Sequence, residues 1–146
     1  MFIYEKKLQF PVKIATPNPK LAAFIISQYG GPDGELGASM RYLSQRYSMP
    51  YAEAKGLLTD IGTEELGHME MVAQTINLLN GHDVEAAAVP AGEIESHVLL
   101  GLNPGLINAS GYSWTGDYVT VTGDLCADLL SNICLLYTSP SPRDTR

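Results

Sequence analysis

Residues 58–79 read Leu58-Thr-Asp-Ile61-Gly-Thr-Glu-Glu65-Leu-Gly-His68-Met-Glu-Met-Val72-Ala-Gln-Thr75-Ile-Asn-Leu-Leu79. Taken at alternating steps of three and four, one seam carries Leu58, Ile61, Glu65, His68, Val72, Thr75 and Leu79. That spacing predicts a helix with one face turned to a core. An acid and an imidazole occupy the middle of this otherwise apolar stripe. Burying an unpaired carboxylate costs several kcal/mol or forces it to take a proton. A metal cation removes that cost, so Glu65 and His68 become ligand candidates, while Glu64 falls off the seam. Glu-x-x-His alone is weak, since a solvated acid beside a hydrogen-bonded core histidine leaves the same letters.

Working toward the N-terminus, Leu21, Phe24, Ile25 and Gln28 recur at helical spacing, as do Leu36, Met40, Leu43 and Tyr47 after Gly30-Gly31-Pro32. The pattern predicts one long helix from about Lys20 to Tyr47, kinked or briefly broken at the glycines. Ser48 is the expected cap of the next helix, with Pro50 in its first turn and Asn80-Gly81 as its stop. So short a turn requires two antiparallel helices. Glu35 and Glu65 then lie about fourteen and fifteen residues either side of it. At ~1.5 Å per residue they reach nearly the same height on facing helices, where they could share a cation. Ser39, Tyr42 and Arg46 continue the stripe of Glu35.

Pro11, Pro17 and Pro19 make residues 1–19 an extended arm. Residues 82–121, rich in Ala, Gly and Asn, are expected to be a long crossing connection with room for short strands. Thr122 or Asp124 would cap a third helix, whose stripe begins Leu125, Leu129, Asn132. The text changes at Cys134, where Cys-Leu-Leu-Tyr-Thr-Ser-Pro-Ser-Pro-Arg-Asp144 back-translates into a transposase-type sequencing-library adapter. The expected division is an arm over 1–19, a partial domain over 20–133 and a non-native tail over 134–146, with the helix broken within residues 134–144 by their two prolines.

The 146 residues are 45% hydrophobic and 17% charged, which excludes a chain disordered throughout. No apolar run approaches the ~18 residues of a membrane span, and no signal peptide is visible. A net charge of −7 disfavours nucleic acid and anionic lipid as partners. Two cysteines cannot build a disulfide framework and suit the cytoplasm. Cys126 is expected to be a buried, inert thiol. His82 and His97 read as structural, and Trp114 with Tyr112 and Tyr118 as an aromatic patch packing the connection or a subunit interface.

Glu-x-x-His on an inward helix face is how ferritin-like carboxylate proteins present ligands to a dinuclear site. Gly30-Gly-Pro-Asp-Gly-Glu-Leu36, Gln45, Glu64-Glu-Leu-Gly-His-Met-Glu70 and the segment Gly105 to Gly123 together resemble the non-haem manganese catalases, especially the short, spore-coat-associated CotJC branch. The similarity runs from about Leu8 to Ile133. It implies an all-α, ferritin-like four-helix bundle, here truncated to a helical hairpin, the crossing connection and the start of a third helix. It also implies two manganese ions disproportionating hydrogen peroxide, a homo-oligomer when complete, and spore-coat proteins as possible partners beside a cytoplasmic location. Glu35 matches the family's terminal ligand on the first helix, Glu65 and His68 its bridging carboxylate and imidazole, and Tyr42 an outer tyrosine hydrogen-bonding near the cluster. The next family ligand, a glutamate, falls at Leu136, and the fourth helix with its own Glu-x-x-His is absent, so the chain as written is expected to be inactive. Two alternatives remain: a di-iron oxidase or iron-storage relative, because Glu-x-x-His does not separate iron from manganese, and a non-enzymatic coat or shell component.

Overall fold

A computed structural model describes residues 3–31, 34–81, 107–117 and 119–138. Four α-helices follow in order: α1 (Pro19–Tyr29), α2 (Glu35–Gln45), α3 (Ala52–Asn80) and α4 (Leu125–Thr138). Among the described residues there is no strand, only an isolated antiparallel bridge between Ile107 and Ser113. The expected all-helical character holds, and among the described residues of the connection that bridge is the extended pairing present.

Each helix boundary has a local cause. Asn18 caps α1 by accepting from the Leu21 amide at 3.1 Å, and Pro19 follows in the first turn, where its missing N–H costs nothing. Asn18 also donates its backbone N–H to Leu79 O at 2.8 Å, tying the start of α1 to the end of α3. The helix expected over 20–47 is two helices, because the glycines after Tyr29 interrupt it completely. Gly31 holds φ +88°, and a Cβ on Gly34 would meet the Gly30 backbone at 2.5 Å. Beyond α2 a 3₁₀ turn, Arg46–Ser48, leads to α3. Ser48 does not cap α3: its hydroxyl bonds back to Gln45 O at 2.9 Å, and the N-cap is Tyr51, three residues on. Gly81, at φ +85°, ends α3 where the sequence predicts.

α3 has 29 residues and spans ~44 Å. It is the post against which α1 and α2 pack in turn. Ala22, Ile26, Ile76 and Leu79 form one buried cluster between α1 and the C-terminal half of α3. Ala38, Tyr42, Met49 and Leu58 form another between α2 and its N-terminal half, joined by Leu125 and Leu129 of α4. Gly62 permits the closest approach, since a Cβ there would lie 2.8 Å from Leu43 Cγ and 3.1 Å from Tyr42 Cβ. Ser39 Oγ donates to the Gly62 carbonyl at 2.6 Å across the same seam.

α4 docks through polar groups as much as oily ones. Asp124 caps it by accepting from the Ala127 amide at 2.8 Å. Asp128, wholly buried, accepts from the Thr122 amide at 3.0 Å, the Thr122 hydroxyl at 2.8 Å and the Gly123 amide at 3.3 Å. Asn132 Nδ2 donates to Gln45 Oε1 at 2.7 Å, and Gln45 Nε2 donates to Thr120 O at 2.8 Å. α4 runs to Thr138, two residues short of Pro140, the first of the two prolines in the stretch 134–144 that is expected to break it. Residues 134–138 hold no helix breaker, and the first proline after Pro104 is Pro140. Cys126 is exposed rather than buried, because Leu125 and Leu129 face α2 and leave it on the outer side, with Leu130 and Ile133 at 63% and 62% exposure. His82, His97 and Tyr118 lie outside the described residues.

Asp128→Ala would leave two backbone amides of the α4 entry without their acceptor. It should lower unfolding free energy by about 2 kcal/mol, read from the denaturant midpoint at unchanged slope; a loss under ~0.5 kcal/mol would count against the network.

Candidate metal centre

Glu65 and His68 stand one turn apart on α3, in the gap between the two apolar clusters, and are 5% and 7% exposed. Glu35 is the first residue of α2, where the helix dipole favours an acid. The antiparallel pairing brings it over the same point of α3, as the residue count around the turn predicts. His68 Nδ1 lies 2.6 Å from Glu65 Oε2 and 3.8 Å from Glu35 Oε2. One donor atom from each of the three residues falls within 4.8 Å of the others. Tyr42, two turns along α2 from Glu35, is 1% exposed, and its hydroxyl has no hydrogen-bond partner among the described residues.

Two further groups escaped the seam argument. Glu64 Oε1 lies 3.8 Å from His68 Nε2, on the side of the ring away from Glu65. It also accepts from Gln9 Nε2 of the N-terminal arm at 2.8 Å. The doubled Glu64-Glu65 hinted at the first contact, since residues i and i+4 adjoin on a helix. Nothing in the letters around Gln9 announced the second.

The electrostatics show a cluster lacking positive charge. Burial, then the hydrogen bond and charge of Glu65, push the Glu35 carboxyl up from 4.5 to about 8, against a smaller opposing pull from His68. Burial works against charge on His68, but the Glu65 hydrogen bond and the charges of Glu65, Glu35 and Glu64 outweigh it and raise its pKa. Burial and then Glu65 raise the Tyr42 phenol, so it stays protonated. Without a cation, the protein neutralises the site by holding protons.

The residues fit a divalent transition ion. Neighbouring ligands of an octahedral ion with ~2.1 Å bonds lie ~3 Å apart, and the 2.6 and 3.8 Å separations around His68 Nδ1 bracket that value. His68 Nε2 and Tyr42 Oη, buried without a hydrogen-bond partner among the described residues, are polar atoms that a folded chain keeps only with a reason. Two carboxylates and one imidazole form a donor set that manganese and iron both accept.

Residues 1–138 match the family model described as manganese containing catalase. The chain is 56% identical over 135 residues to a probable manganese catalase of Clostridium acetobutylicum, covering 91% of this chain and 60% of that protein. It is 46% identical over 133 residues to Protein CotJC of Bacillus subtilis, covering 91% of this chain and 70% of that one. Among solved structures it superposes on KatB, a manganese catalase from Anabaena PCC7120, with a TM-score of 0.76 and 30% identity, over 94% of this chain and 61% of that one. The chain therefore spans about 60% of the length of the first of these relatives. With its ferritin-like helical fold and its Glu35, Glu65 and His68 gathered at one buried point, this chain belongs to the manganese-containing catalase family.

Proposed function

We propose that the whole protein disproportionates hydrogen peroxide, two H₂O₂ giving one O₂ and two H₂O, at a pair of manganese ions to which this chain contributes Glu35, Glu65 and His68. The observation that carries the reading is the buried three-donor cluster with its proton-holding carboxyl, in a chain of this family. When bound, the manganese pair would supply the redox step, taking up and returning two electrons. Glu35 and Glu65 would act as ligands in their charged form, so Glu35 must release the proton it otherwise holds. His68 would ligate through Nδ1, the ring nitrogen facing both carboxylates, with Nε2 toward Glu64. Tyr42, kept protonated, would remain a hydrogen-bond donor beside the two carboxylates. The aliphatic clusters on either side exclude bulk water, which strengthens each of these charge interactions.

The 146 residues carry three of the ligands that the resemblance implies. The reading includes the tail: residues 134–146 are adapter-derived, and the chain by itself binds manganese without evolving oxygen at the rate of a full-length relative. Oxygen-electrode traces at equal manganese loading should show this, and a comparable rate would refute it. A second reading, an assembly component of a coat or shell, draws on the likeness to Protein CotJC. Glu65→Ala separates the two, since a purely architectural role would survive loss of the metal.

Metal titrations should show that Glu65→Ala or His68→Ala weakens manganese binding by more than about a hundredfold. Loss of an outer partner alone costs ~10–100-fold. Unchanged binding in both variants would dismiss the site.

The pKa of Glu35 is raised by folding, so between 4.5 and about 8 the metal-free folded state binds more protons than the unfolded chain. Stability then falls as pH rises through that window. His68 adds the same sign: its raised pKa contributes stability fully present below 6.5 and lost as pH passes its folded value. The metal-free melting temperature should therefore drop from pH 5 to pH 8, with a shallower drop for Glu35→Gln. Manganese, which needs the deprotonated ligands, should raise it more at pH 8 than at pH 5. Equal slopes in wild type and Glu35→Gln would contradict the assignment.

A further inference from the structure

The interruption between α1 and α2 is not free to set its own angle. Trp114, returning from the crossing connection, lies on it: a Cβ on Gly30 would lie 2.1 Å from Trp114 Cζ3, far inside contact distance, and one on Gly31 would lie 3.4 Å from the ring. The ring packs against Tyr29, the last residue of α1, with centroids 5.4 Å apart and planes at 54°. On its other side it borders a cleft of about 150 Å³ with Leu36, Gly37 and Met40 of α2. Its indole N–H is buried without a partner among the described residues, so shape rather than hydrogen bonding selects the ring here. The same stretch of connection is fastened to α1 by the Ala109 amide, which donates to Ser27 Oγ at 2.9 Å. Trp114 thus packs on the last residue of one helix and the glycines that follow it, and shares a cleft with the start of the next helix.

Glu35 opens that next helix. Its carboxylate can meet Glu65 and His68 only if α2 starts at the right place and tilt, and Gly30 and Gly31, having no side chains, need an outside contact to hold one conformation. The geometry points to Trp114 as the positioning residue for Glu35: the indole wedged on Gly30 and Gly31 holds the break at the angle that delivers the first carboxylate to the cluster. This rests on the manganese reading above. It gives the crossing connection a function at the metal centre through a residue that need not touch the ion.

The test is a manganese titration of the 146-residue protein, following loss of the free Mn(II) electron paramagnetic resonance signal. Trp114→Ala should bind about tenfold more weakly or worse, within the range for lost outer support, and Trp114→Phe, which keeps a ring on Gly30, should recover most of that. Because Trp114 acts through Glu35, Trp114→Ala placed on Glu35→Gln should cause no further loss. General loosening of the fold would weaken both backgrounds alike. If Trp114→Ala loses its helical circular dichroism, Trp114→Leu takes its place in the cycle. Wild-type affinity in the Trp114 variant, or independent losses in the double variant, would overturn the assignment. Failure of the wild type itself to bind manganese would sink the manganese reading instead. Positioning would then be decided by amide exchange: faster exchange at Leu36 to Ala38 in Trp114→Ala, with α3 unchanged, supports it, and equal rates refute it.

Discussion

The arrangement depends on a carboxylate and an imidazole 2.6 Å apart inside α3, with a further carboxyl brought over them from α2. Such a cluster is costly in an apolar interior unless something neutralises it. The metal-free protein does so with protons, visible in the upward displacement of Glu35. On the reading proposed above, a divalent ion would replace those protons with a more concentrated positive charge at the same place, so that cation binding and proton release would be one event linking the stability of the hairpin to its chemistry.

The surrounding packing keeps this polar centre small. One aliphatic cluster lies toward the C-terminal end of α3 and the other toward its N-terminal end, so Glu65 and His68 occupy a gap in a long hydrophobic seam. Gly62 lets α2 come close just N-terminal to the gap, and the Ser39 hydroxyl locks that approach by bonding the Gly62 carbonyl. The missing side chain of Gly62 thus helps to set how near α2, with Glu35 at its start, lies to Glu65 and His68. The arm and the connection add constraints from outside the hairpin, Gln9 on Glu64 and Trp114 on the glycine break. α4 is held by the Asp128 cap network and by the Gln45–Asn132 bond. Its Leu130 and Ile133 face outward and are exposed.

The periodicity of residues 58–79 was enough to place Glu65 and His68 on the buried face, because a helix repeats every 3.6 residues whatever packs against it. The Gly81 stop and the Asp124 cap were likewise legible, since each depends on a few adjacent residues. Residue counting across the turn also set Glu35 level with Glu65, given antiparallel helices of constant rise. Reading failed at Cys126, which faces outward because Leu125 and Leu129 took the buried side of α4 against distant neighbours, and at Ser48, which satisfies Gln45 three residues back instead of capping α3. The glycine interruption took the broken rather than the kinked of its two expected forms.

The sequence by itself determined the helical character, the hairpin and the meeting of Glu35, Glu65 and His68 at one level, for these follow from local spacing and a constant helical rise. Only the tertiary structure decided that Gln9 would reach Glu64, that Trp114 would sit on Gly30, and that Asp128 would close the entry to α4. Those contacts join residues 55, 84 and 6 positions apart. The first two are long-range pairings that no local periodicity encodes, and the third depends on how a loop folds back onto its own helix.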